Sequence, residues 1–389
     1  MTRVAGDWLT RPATQFVCAM LENAGHQALF VGGCVRDALV GRAVNDIDLA
    51  TDAHPDKVMT LAKAAGLKAI PTGIEHGTVT VISETIPHEI TTFRRDIETD
   101  GRRAIVAFSD RIEDDARRRD FTMNALYADA RGLVIDPLSG LADLKSRRVR
   151  FIEDPNARIT EDYLRILRFF RFHAWYGDPA QGMNPEALAA IAANSDGLES
   201  LSKERVGHEI LRLLSAPDPA PSVAAMRAAG VLSIVIPGAD DRFLAPLVHL
   251  ETRTQTAPDA IRRLAVLGGK DPAPCLRLSR AEGKKRAEIL DAVADPLPAL
   301  GRGYRYGLPT ARDGYLINCA MAGHETSAAV MSEIERGSRQ TFPVNAADVM
   351  PAYQGPAISA RLKQLEIAWI ESGFRLSKQE LLGLPDAKG

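Results

Sequence analysis

The chain has 389 residues, 46% of them hydrophobic and 25% charged, which indicates a globular protein of two or more domains. Its 48 Lys and Arg residues nearly balance its 50 Asp and Glu residues, so a polyanion-binding surface would have to come from local clustering of charge. The four scattered cysteines form no CxxC pair, and no signal-peptide pattern or apolar run of about 18 residues is present, so we expect a cytoplasmic protein with no membrane segment.

The first 140 residues mix helix and strand patterns, which predicts an α+β domain. Apolar periodicity and terminal glycines indicate the helices, and alternating β-branched residues indicate the strands. The predicted elements are helices over 12–24, 34–40 and 54–66 and strands over 27–31, 46–51, 77–83 and 88–93, the last two forming a hairpin with Pro87 near its turn. We therefore expect a mixed or antiparallel sheet with helices.

A charged segment inside the first 140 residues and the long region after them complete the predicted organisation. Residues 94–108 are charged, contain Gly101 and show no apolar periodicity in their first half, which predicts a mobile loop. Beyond residue 141, helices are predicted over 161–177, 204–216, 221–238 and 355–374. The expected architecture is an α+β head followed by an all-helical region.

Two carboxylates, Asp46 and Asp48, stand one residue apart in the predicted strand 46–51. Because alternate residues of a strand point to the same face, the two side chains would converge. Close carboxylates repel each other unless a cation lies between them, and oxygen ligands suit Mg²⁺. Two such ions can serve an in-line displacement at phosphorus, with Glu89 as the candidate third acid. The alternative is an exposed strand end with two solvated acids.

A glycine pair, Gly32-Gly33, precedes this strand and is followed by Arg36. A glycine turn lets the backbone approach a triphosphate, the next helix offers N–H groups, and an arginine can pair with phosphate oxygens. The alternative is a tight turn with a surface arginine. The combination of glycines, arginine and Asp-x-Asp in one short window favours phosphate binding.

Residues 117–126 form a second polar patch, in which Arg119 and Asp120 precede Asn124. One interpretation places Arg119 and Asp120 near the ribose and phosphates of a nucleotide. The other is a helix N-terminus capped by Asp120, and the patch alone does not decide between them.

The third patch holds Asp162 and Arg165, spaced i and i+3 on the predicted helix so that both can reach one ligand. A carboxylate accepts from the exocyclic amine of cytosine or adenine, and a guanidinium donates to the adjoining ring atoms; guanine and uracil present the opposite pattern. Arg168 and Arg171 extend the basic row toward phosphate or RNA. The alternative is an ion pair on a solvated face.

Taken in order, the motifs GGxVRD, DxD, GTV, TTFR, RRDFTxNAL, EDxxRxxRxxRF and ERV resemble those of the class II tRNA CCA-adding nucleotidyltransferases. That family belongs with bacterial poly(A) polymerases to the DNA polymerase beta-like superfamily. The resemblance covers residues 28–212. It implies a nucleotidyltransferase head over 1–140, a base-recognising helical neck over 141–212, a helical body over 213–275 and a tRNA-binding helical tail over 276–389.

The resemblance also implies roles for the matching residues. Asp46 and Asp48 would bind two Mg²⁺ ions, with Glu89 as the third catalytic acid. The implied nucleotide-binding residues are Gly33 and Arg36 for the triphosphate of CTP or ATP, Arg119 and Asp120 for the ribose and phosphates, Asp162 and Arg165 for the base, and Arg168 and Arg171 in support. Glu204 and Arg205 resemble a structural motif of the neck, and residues 94–108 resemble the flexible loop needed for the switch from C to A addition.

The implied function is template-independent addition of CCA to tRNA, with the tRNA 3′ end and acceptor region as partners and no indication of oligomeric state. A poly(A) polymerase would usually carry a basic segment before the strand of the third acid, where this chain has His76-Gly77-Thr78 without a basic pair. An enzyme that adds only CC or only A is disfavoured by the intact segment 94–108. A non-catalytic RNA-binding protein of the same fold would need neither the Asp-x-Asp nor the EDxxR motif.

Overall fold

The computed structural model describes residues 1–100, 103–350 and 352–385, with backbone alone for 96–100 and 103–106. The chain folds as two compact units. The first comprises Met1–Leu213 and Pro221–Val235, and the second comprises Leu214–Ala220 and Ile236–Gly389. Within the described residues, no helix combines the length and apolar character needed to cross a membrane.

The first unit contains all of the described strands and the first twelve α-helices. The strands are β1 (Leu29–Val31), β2 (Asp48–Thr51), β3 (Lys68–Gly73), β4 (Thr78–Ser83), β5 (Ile86–Thr92), β6 (Arg94–Asp100), β7 (Arg103–Phe108), β8 (Tyr127–Ala128) and β9 (Val134–Ile135). The helices are α1 (Asp7–Thr10), α2 (Pro12–Glu22), α3 (Gly33–Leu39), α4 (Pro55–Ala64), α5 (Ile112–Arg117), α6 (Gly140–Lys145), α7 (Pro155–Glu161), α8 (Leu164–Tyr176), α9 (Pro185–Ala193), α10 (Lys203–Leu214), α11 (Ala220–Ala228) and α12 (Val231–Val235). Short 3₁₀ turns occupy Ile74–His76, Thr122–Asn124 and Ser195–Ser200.

Seven strands form one mixed sheet in the order β3-β4-β5-β2-β1-β8-β9. Strands β2 and β5 are parallel, and the other neighbours are antiparallel. The predicted α+β head followed by helices is therefore confirmed, as is the β4–β5 hairpin. Strand β3 left no signal in the sequence because this edge strand has no buried residue, and β8 and β9 are only two residues long.

The predicted loop at 94–108 is wrong where the structure describes it. Strands β6 and β7 pair as an antiparallel hairpin, with Arg94 opposite Phe108 and Arg95 opposite Ala107. A two-stranded ribbon needs backbone pairing but no continuous apolar face, which is why its charged sequence did not show it. The Phe108 ring lies 4.9 Å from the His54 ring, and a Cβ added to Gly77 would come within 2.8 Å of it. Gly101 lies outside the described residues.

The predicted helix 161–177 is also wrong at its start. Helix α7 ends at Glu161, Asp162 is extended (φ −157°, ψ 103°), and α8 begins only at Leu164. The Asp162 side chain accepts a hydrogen bond from the Leu164 amide at 3.1 Å. A carboxylate that binds nearby backbone N–H groups competes with helix formation, and this explains the break. Similarly, the predicted helix 221–238 divides into α11 and α12 at Gly230, whose φ is 77°.

The second unit is all-helical in its described part. Its helices are α13 (Leu244–Arg253), α14 (Ala260–Leu267), α15 (Pro272–Cys275), α16 (Arg280–Ala294), α17 (Ala299–Ala322), α18 (Ala328–Ser338), α19 (Ala346–Val349), α20 (Pro356–Glu371) and α21 (Lys378–Leu382). Helix α20 confirms the helix predicted over 355–374, and α17 is interrupted at Gly307 (φ 73°).

A fully buried ionic network holds α13, α14 and α17 together. Arg262 donates to Glu251 at 2.7 Å and to Asp313 at 2.8 Å, and Arg263 donates to the other oxygen of Glu251 at 2.7 Å. Arg263 also donates to the carbonyl of Leu214 at 2.7 Å. Each buried charge lies beside an opposite charge and accepts or donates further hydrogen bonds. These interactions offset the desolvation cost of burying the charged groups.

Candidate active site

A cavity of about 510 Å³ opens in the first unit between the turn after β1, the 3₁₀ turn at Thr122–Asn124 and helices α8 and α10. Nine of the eleven predicted site residues line it, namely Gly33, Arg36, Asp48, Arg119, Asp120, Asp162, Arg165, Arg168 and Arg171. The remaining lining residues were not predicted as site residues, namely Gly32, Asn124, Leu164, Phe172, Arg205 and Arg212. Seven arginines and three aspartates line the cavity, so it suits a polyanion.

An acidic corner beside the cavity, formed by Asp46, Asp48 and Glu89, is built around two parallel strands, and of these three acids only Asp48 lines the cavity. Asp48 is the first residue of β2 and lies directly opposite Glu89 of β5, so their side chains leave the same face of the sheet. Asp46 lies two residues before the strand rather than inside it, which corrects the predicted strand boundary. Burial and the nearby charge of Glu89 raise the pKa of Asp48 to about 6; Asp46 adds to this rise and Arg119 opposes it.

This corner has the donor chemistry of a divalent-cation site. Carboxylate oxygens are the ligands that Mg²⁺ prefers, and the raised pKa of Asp48 comes first from burial and then from repulsion by Glu89, which a cation would relieve. Over residues 1–100, 103–350 and 352–385, no three His, Cys, Asp or Glu side chains are already gathered around one point. The acids fit the ion by type and by position on the sheet, and their side chains would have to turn toward it.

The turn after β1 brings backbone close to the cavity. Gly32 has a φ of 69°, and a Cβ added there would lie 3.3 Å from the Arg119 guanidinium. Helix α3 starts at Gly33 and carries Arg36, which is only 7% exposed.

Arg36 already has several protein partners. It donates to both oxygens of Asp37, to Asn124 Oδ1 at 2.5 Å and to the Tyr176 hydroxyl at 2.7 Å. The Tyr176 hydroxyl in turn donates to Asp37 at 2.9 Å. Arg36 therefore bridges the glycine turn to the end of α8, a role that its sequence position did not reveal.

Arg119 and Asp120 do not lie in a regular helix, since α5 ends at Arg117. Arg119 donates to Asp115 at 2.9 Å, and the Tyr127 hydroxyl donates to the same oxygen at 2.7 Å. Burial opposes ionisation of Asp115, but the charge of Arg119 and the bond from Tyr127 outweigh it, so the pKa of Asp115 is lowered. Asp115 was missed, although its i,i+4 spacing to Arg119 was a usable signal.

Asp120 is a buried anchor for helix α8. It accepts from Arg168 at 2.6 Å, from Asn124 at 2.8 Å and from the Phe121 amide at 2.9 Å. Although burial opposes ionisation, the charge of Arg168 and these bonds lower the pKa of Asp120. The interpretation of Asp120 as a helix cap is wrong, because its partners come from a 3₁₀ turn and from α8.

The predicted pair Asp162 and Arg165 has unexpected partners. Arg205 of α10 donates to Asp162 Oδ2 at 2.7 Å. Arg165 instead forms an ion pair with Glu161 and donates to the carbonyls of Arg158 at 2.8 Å and Arg118 at 3.2 Å. Because Asp162 is not helical, the predicted i,i+3 alignment on one helix face is wrong, although both residues line the cavity.

Arg168 and Arg171 follow along α8 and share Glu209. Arg171 donates to Glu209 at 2.6 Å, whereas Arg168 lies 4.0 Å from it. Burial, assisted by the charge of Arg168, lowers the pKa of Arg171 despite Glu209. The guanidiniums of Arg171 and Arg168 lie 4.6 Å and 5.5 Å from the Phe172 ring centroid. This packing fixes the basic row on one side of the cavity.

Comparison with known proteins shows the family of this chain. A family model described as the poly A polymerase head domain matches residues 28–150, and one described as a probable RNA and SrmB- binding site of polymerase A matches residues 182–243. The human protein named CCA tRNA nucleotidyltransferase 1, mitochondrial, is 32% identical over 384 residues, covering 92% of this chain and 86% of the human one. The chain belongs to the CCA tRNA nucleotidyltransferase family. It is therefore a nucleotidyltransferase, as the motifs implied.

Other members of the family are similar over different extents. The CCA-adding enzyme of Levilactobacillus brevis is 41% identical over 217 residues, which cover 54% of this chain and 51% of that one. The crystal structure of the Bacillus stearothermophilus CCA-adding enzyme in complex with CTP superposes with a TM-score of 0.75 at 26% identity, covering 96% of both chains. A Thermotoga maritima CCA-adding enzyme complexed with tRNA shares the fold at a TM-score of 0.69 and 18% identity.

Proposed function

We propose that this chain adds CCA to the 3′ end of tRNA from CTP and ATP without a nucleic-acid template. The observation that carries the proposal is that one cavity is lined by Asp48, by seven arginines and by Asp162, and that Asp48 lies opposite Glu89 in the sheet. The acids suit the metal ions that activate a hydroxyl, the arginines suit a polyphosphate, and Asp162 suits the amine of a base. Relatives named CCA-adding enzymes, one solved with CTP, support the choice of substrates.

The acids and arginines would divide the work. Asp46, Asp48 and Glu89 would hold two Mg²⁺ ions, which, when bound, assist attack of the tRNA 3′-hydroxyl on the α-phosphate and departure of pyrophosphate. Gly33, Arg36 and Arg119 would bind the triphosphate, with Asp120 fixing the wall beside it. Arg168 and Arg171 keep that wall positive, which favours the anionic nucleotide over neutral ligands.

Asp162 and Arg165 would select the base by offering an acceptor beside donors. This arrangement matches the amine and ring nitrogen of cytosine and adenine, and it leaves unpaired groups against uracil and guanine. Arg165 must release part of its bonding to Glu161 and Arg158 to take this role.

The rival functions receive less support. A poly(A) polymerase is disfavoured by His76-Gly77-Thr78, which lacks a basic pair, and by relatives named for CCA addition. Addition of CC or A alone is disfavoured by the full-length segment 94–108. A non-catalytic RNA-binding role is disfavoured because binding RNA does not require closely spaced carboxylates such as Asp48 and Glu89.

We also propose the division into head (1–140), neck (141–212), body (213–275) and tail (276–389), with the last binding the tRNA acceptor region. The end of β9 at Ile135 supports the first boundary. A cytoplasmic location is proposed from the four cysteines, which form no disulfide in the described part, although the human relative is named mitochondrial.

The decisive experiment is Mg²⁺-dependent incorporation of labelled CTP and ATP into tRNA that ends at the discriminator base. We expect three added nucleotides, C, C and A. Long A tails on any RNA would favour the poly(A) alternative, and an absence of label would refute the enzymatic proposal.

Two variants separate chemistry from base choice. Asp46→Ala should abolish addition of every nucleotide but leave tRNA binding nearly intact. Asp162→Ala should leave a slow residual rate with relaxed nucleotide choice. Equal loss of discrimination in both variants would contradict the division of roles.

A further inference from the structure

Arg205 is bound to the residue expected to read the base. Its Nη2 lies 2.7 Å from Asp162 Oδ2, and the other oxygen of Asp162 accepts from the Leu164 amide at 3.1 Å. These two bonds come from different elements, α10 and the start of α8, and they reach different oxygens. Together they fix the plane of the carboxylate as well as its position.

The backbone of Asp162 does not provide this orientation. The residue is extended between two helices, so no regular helix geometry sets the direction of its side chain. Its side chain is 28% exposed, which leaves it room to rotate without a second anchor. Arg205 is therefore the interaction that limits this freedom.

Arg165, the expected donor beside Asp162, is engaged elsewhere. Its Nη1 bonds to Glu161 and to the Arg158 carbonyl, and Nη2 bonds to the Arg118 carbonyl. Arg205 has a 38% exposed side chain and lines the same cavity. A guanidinium has five N–H donors in a fixed plane, and the bond to Asp162 uses one of them.

We propose that Arg205 is a positioning residue for base selection, which holds the Asp162 carboxylate in the orientation that accepts from the incoming base. This inference rests on the proposed nucleotide addition and goes beyond the structural role that the sequence motif implied for Arg205. Cytosine and adenine present an amine to the carboxylate that Arg205 holds in place. Uracil and guanine place an oxygen at this carboxylate, and that contact is repulsive.

The test compares kcat/KM for CTP with UTP and for ATP with GTP in single-nucleotide addition. Arg205→Ala should lower both ratios by about 10- to 100-fold, which is the discrimination expected of one paired base contact. Arg205→Lys, which keeps the charge but loses the planar fork, should lie between Ala and the wild type. Thermal melting of each variant checks folding.

Arg212→Ala is the matched control. Arg212 lies seven residues further along α10 and lines the same cavity, so its loss removes an equal charge from the same wall. We expect it to change kcat/KM for all four nucleotides by a similar factor and to leave the ratios unchanged. Arg205→Ala with unchanged ratios and a loss shared by all nucleotides would overturn the proposal.

A double variant tests whether Arg205 acts through Asp162. If it does, Asp162→Asn with Arg205→Ala should lose no more discrimination than Asp162→Asn alone, because coupled residues are not additive. Independent, additive losses would refute the positioning role.

If Arg205→Ala is inactive, the ratio of Kd values for CTP and UTP, measured by calorimetry, replaces the ratio of kcat/KM values. A ratio equal to that of the wild type would then overturn the proposal. A wild type that adds no nucleotide would instead refute the proposed function.

Discussion

Replacing Asp48 with asparagine should stabilise the metal-free protein and abolish nucleotide addition. Burial and the charge of Glu89 raise the pKa of Asp48 from its usual 3.8 to about 6. A difference of that size means that the ionised carboxylate destabilises the fold by about 3 kcal/mol at neutral pH. Asparagine keeps the shape and removes the charge but is not identical to a protonated acid, so we expect a gain of about 1 to 3 kcal/mol.

The gain should depend on pH in a defined direction. The folded state of the wild type holds the Asp48 proton more tightly than the unfolded state, so its relative stability falls as pH rises from about 3.8 through about 6. The side-chain amide of the Asp48→Asn variant cannot titrate. The stability difference between variant and wild type should therefore be small near pH 4 and reach its full value above pH 6.

Urea unfolding followed by circular dichroism, in EDTA at pH 4.5 and 7.5, measures this difference. Asp196→Asn is the control, since Asp196 is an exposed residue of the same unit. Added Mg²⁺ should raise the stability of the wild type and narrow its gap to Asp48→Asn, because the ion relieves the repulsion. A less stable variant, or a gap that does not change with pH, would refute the reasoning.

Three further predictions concern stability. Glu251→Gln leaves the two buried arginines short of negative charge and should destabilise the second unit by about 3 kcal/mol or more in urea unfolding; a loss below about 1 kcal/mol would show that the network carries little energy. Gly140→Ala would place a Cβ 2.0 Å from the Thr122 carbonyl oxygen and should cost about 2 kcal/mol or more, whereas Gly283→Ala, in an open helical position, should be neutral or stabilising; equal effects would contradict the steric argument. Tyr176→Phe removes two hydroxyl hydrogen bonds and should cost about 1 to 2 kcal/mol in the same assay, with an unchanged midpoint as the contrary result.

Local patterns in the sequence predicted much of the head. β-branched alternation identified the β4–β5 hairpin, and the Asp-x-Asp pattern marked the start of β2 at Asp48, although Asp46 lies outside the strand. Terminal glycines such as Gly66, whose φ is 72°, marked helix ends because only the left-handed region satisfies the turn there. These features depend on neighbouring residues, so a single sequence contains them.

Partners distant in the chain could not be predicted in this way. Apolar periodicity runs through residue 162, yet the helix breaks there because the carboxylate of Asp162 binds the Leu164 amide and Arg205, 43 residues away. Likewise, the sequence predicts Arg36 as a phosphate ligand, but it does not predict the hydrogen bond from Arg36 to Tyr176, which lies 140 positions away. The identities of site residues follow from motifs, whereas their partners follow from tertiary packing.

Arg36 links the two ends of the expected nucleotide site energetically. A triphosphate that engages its guanidinium must compete with Asp37, Asn124 and Tyr176, and the last of these belongs to the helix that also carries the base-facing arginines. Coupling between two binding events is reciprocal, so if triphosphate binding weakens the Arg36–Tyr176 bond and thereby favours base binding, base binding would favour the triphosphate by the same factor. One side chain would then couple the phosphate end and the base end of a single bound nucleotide.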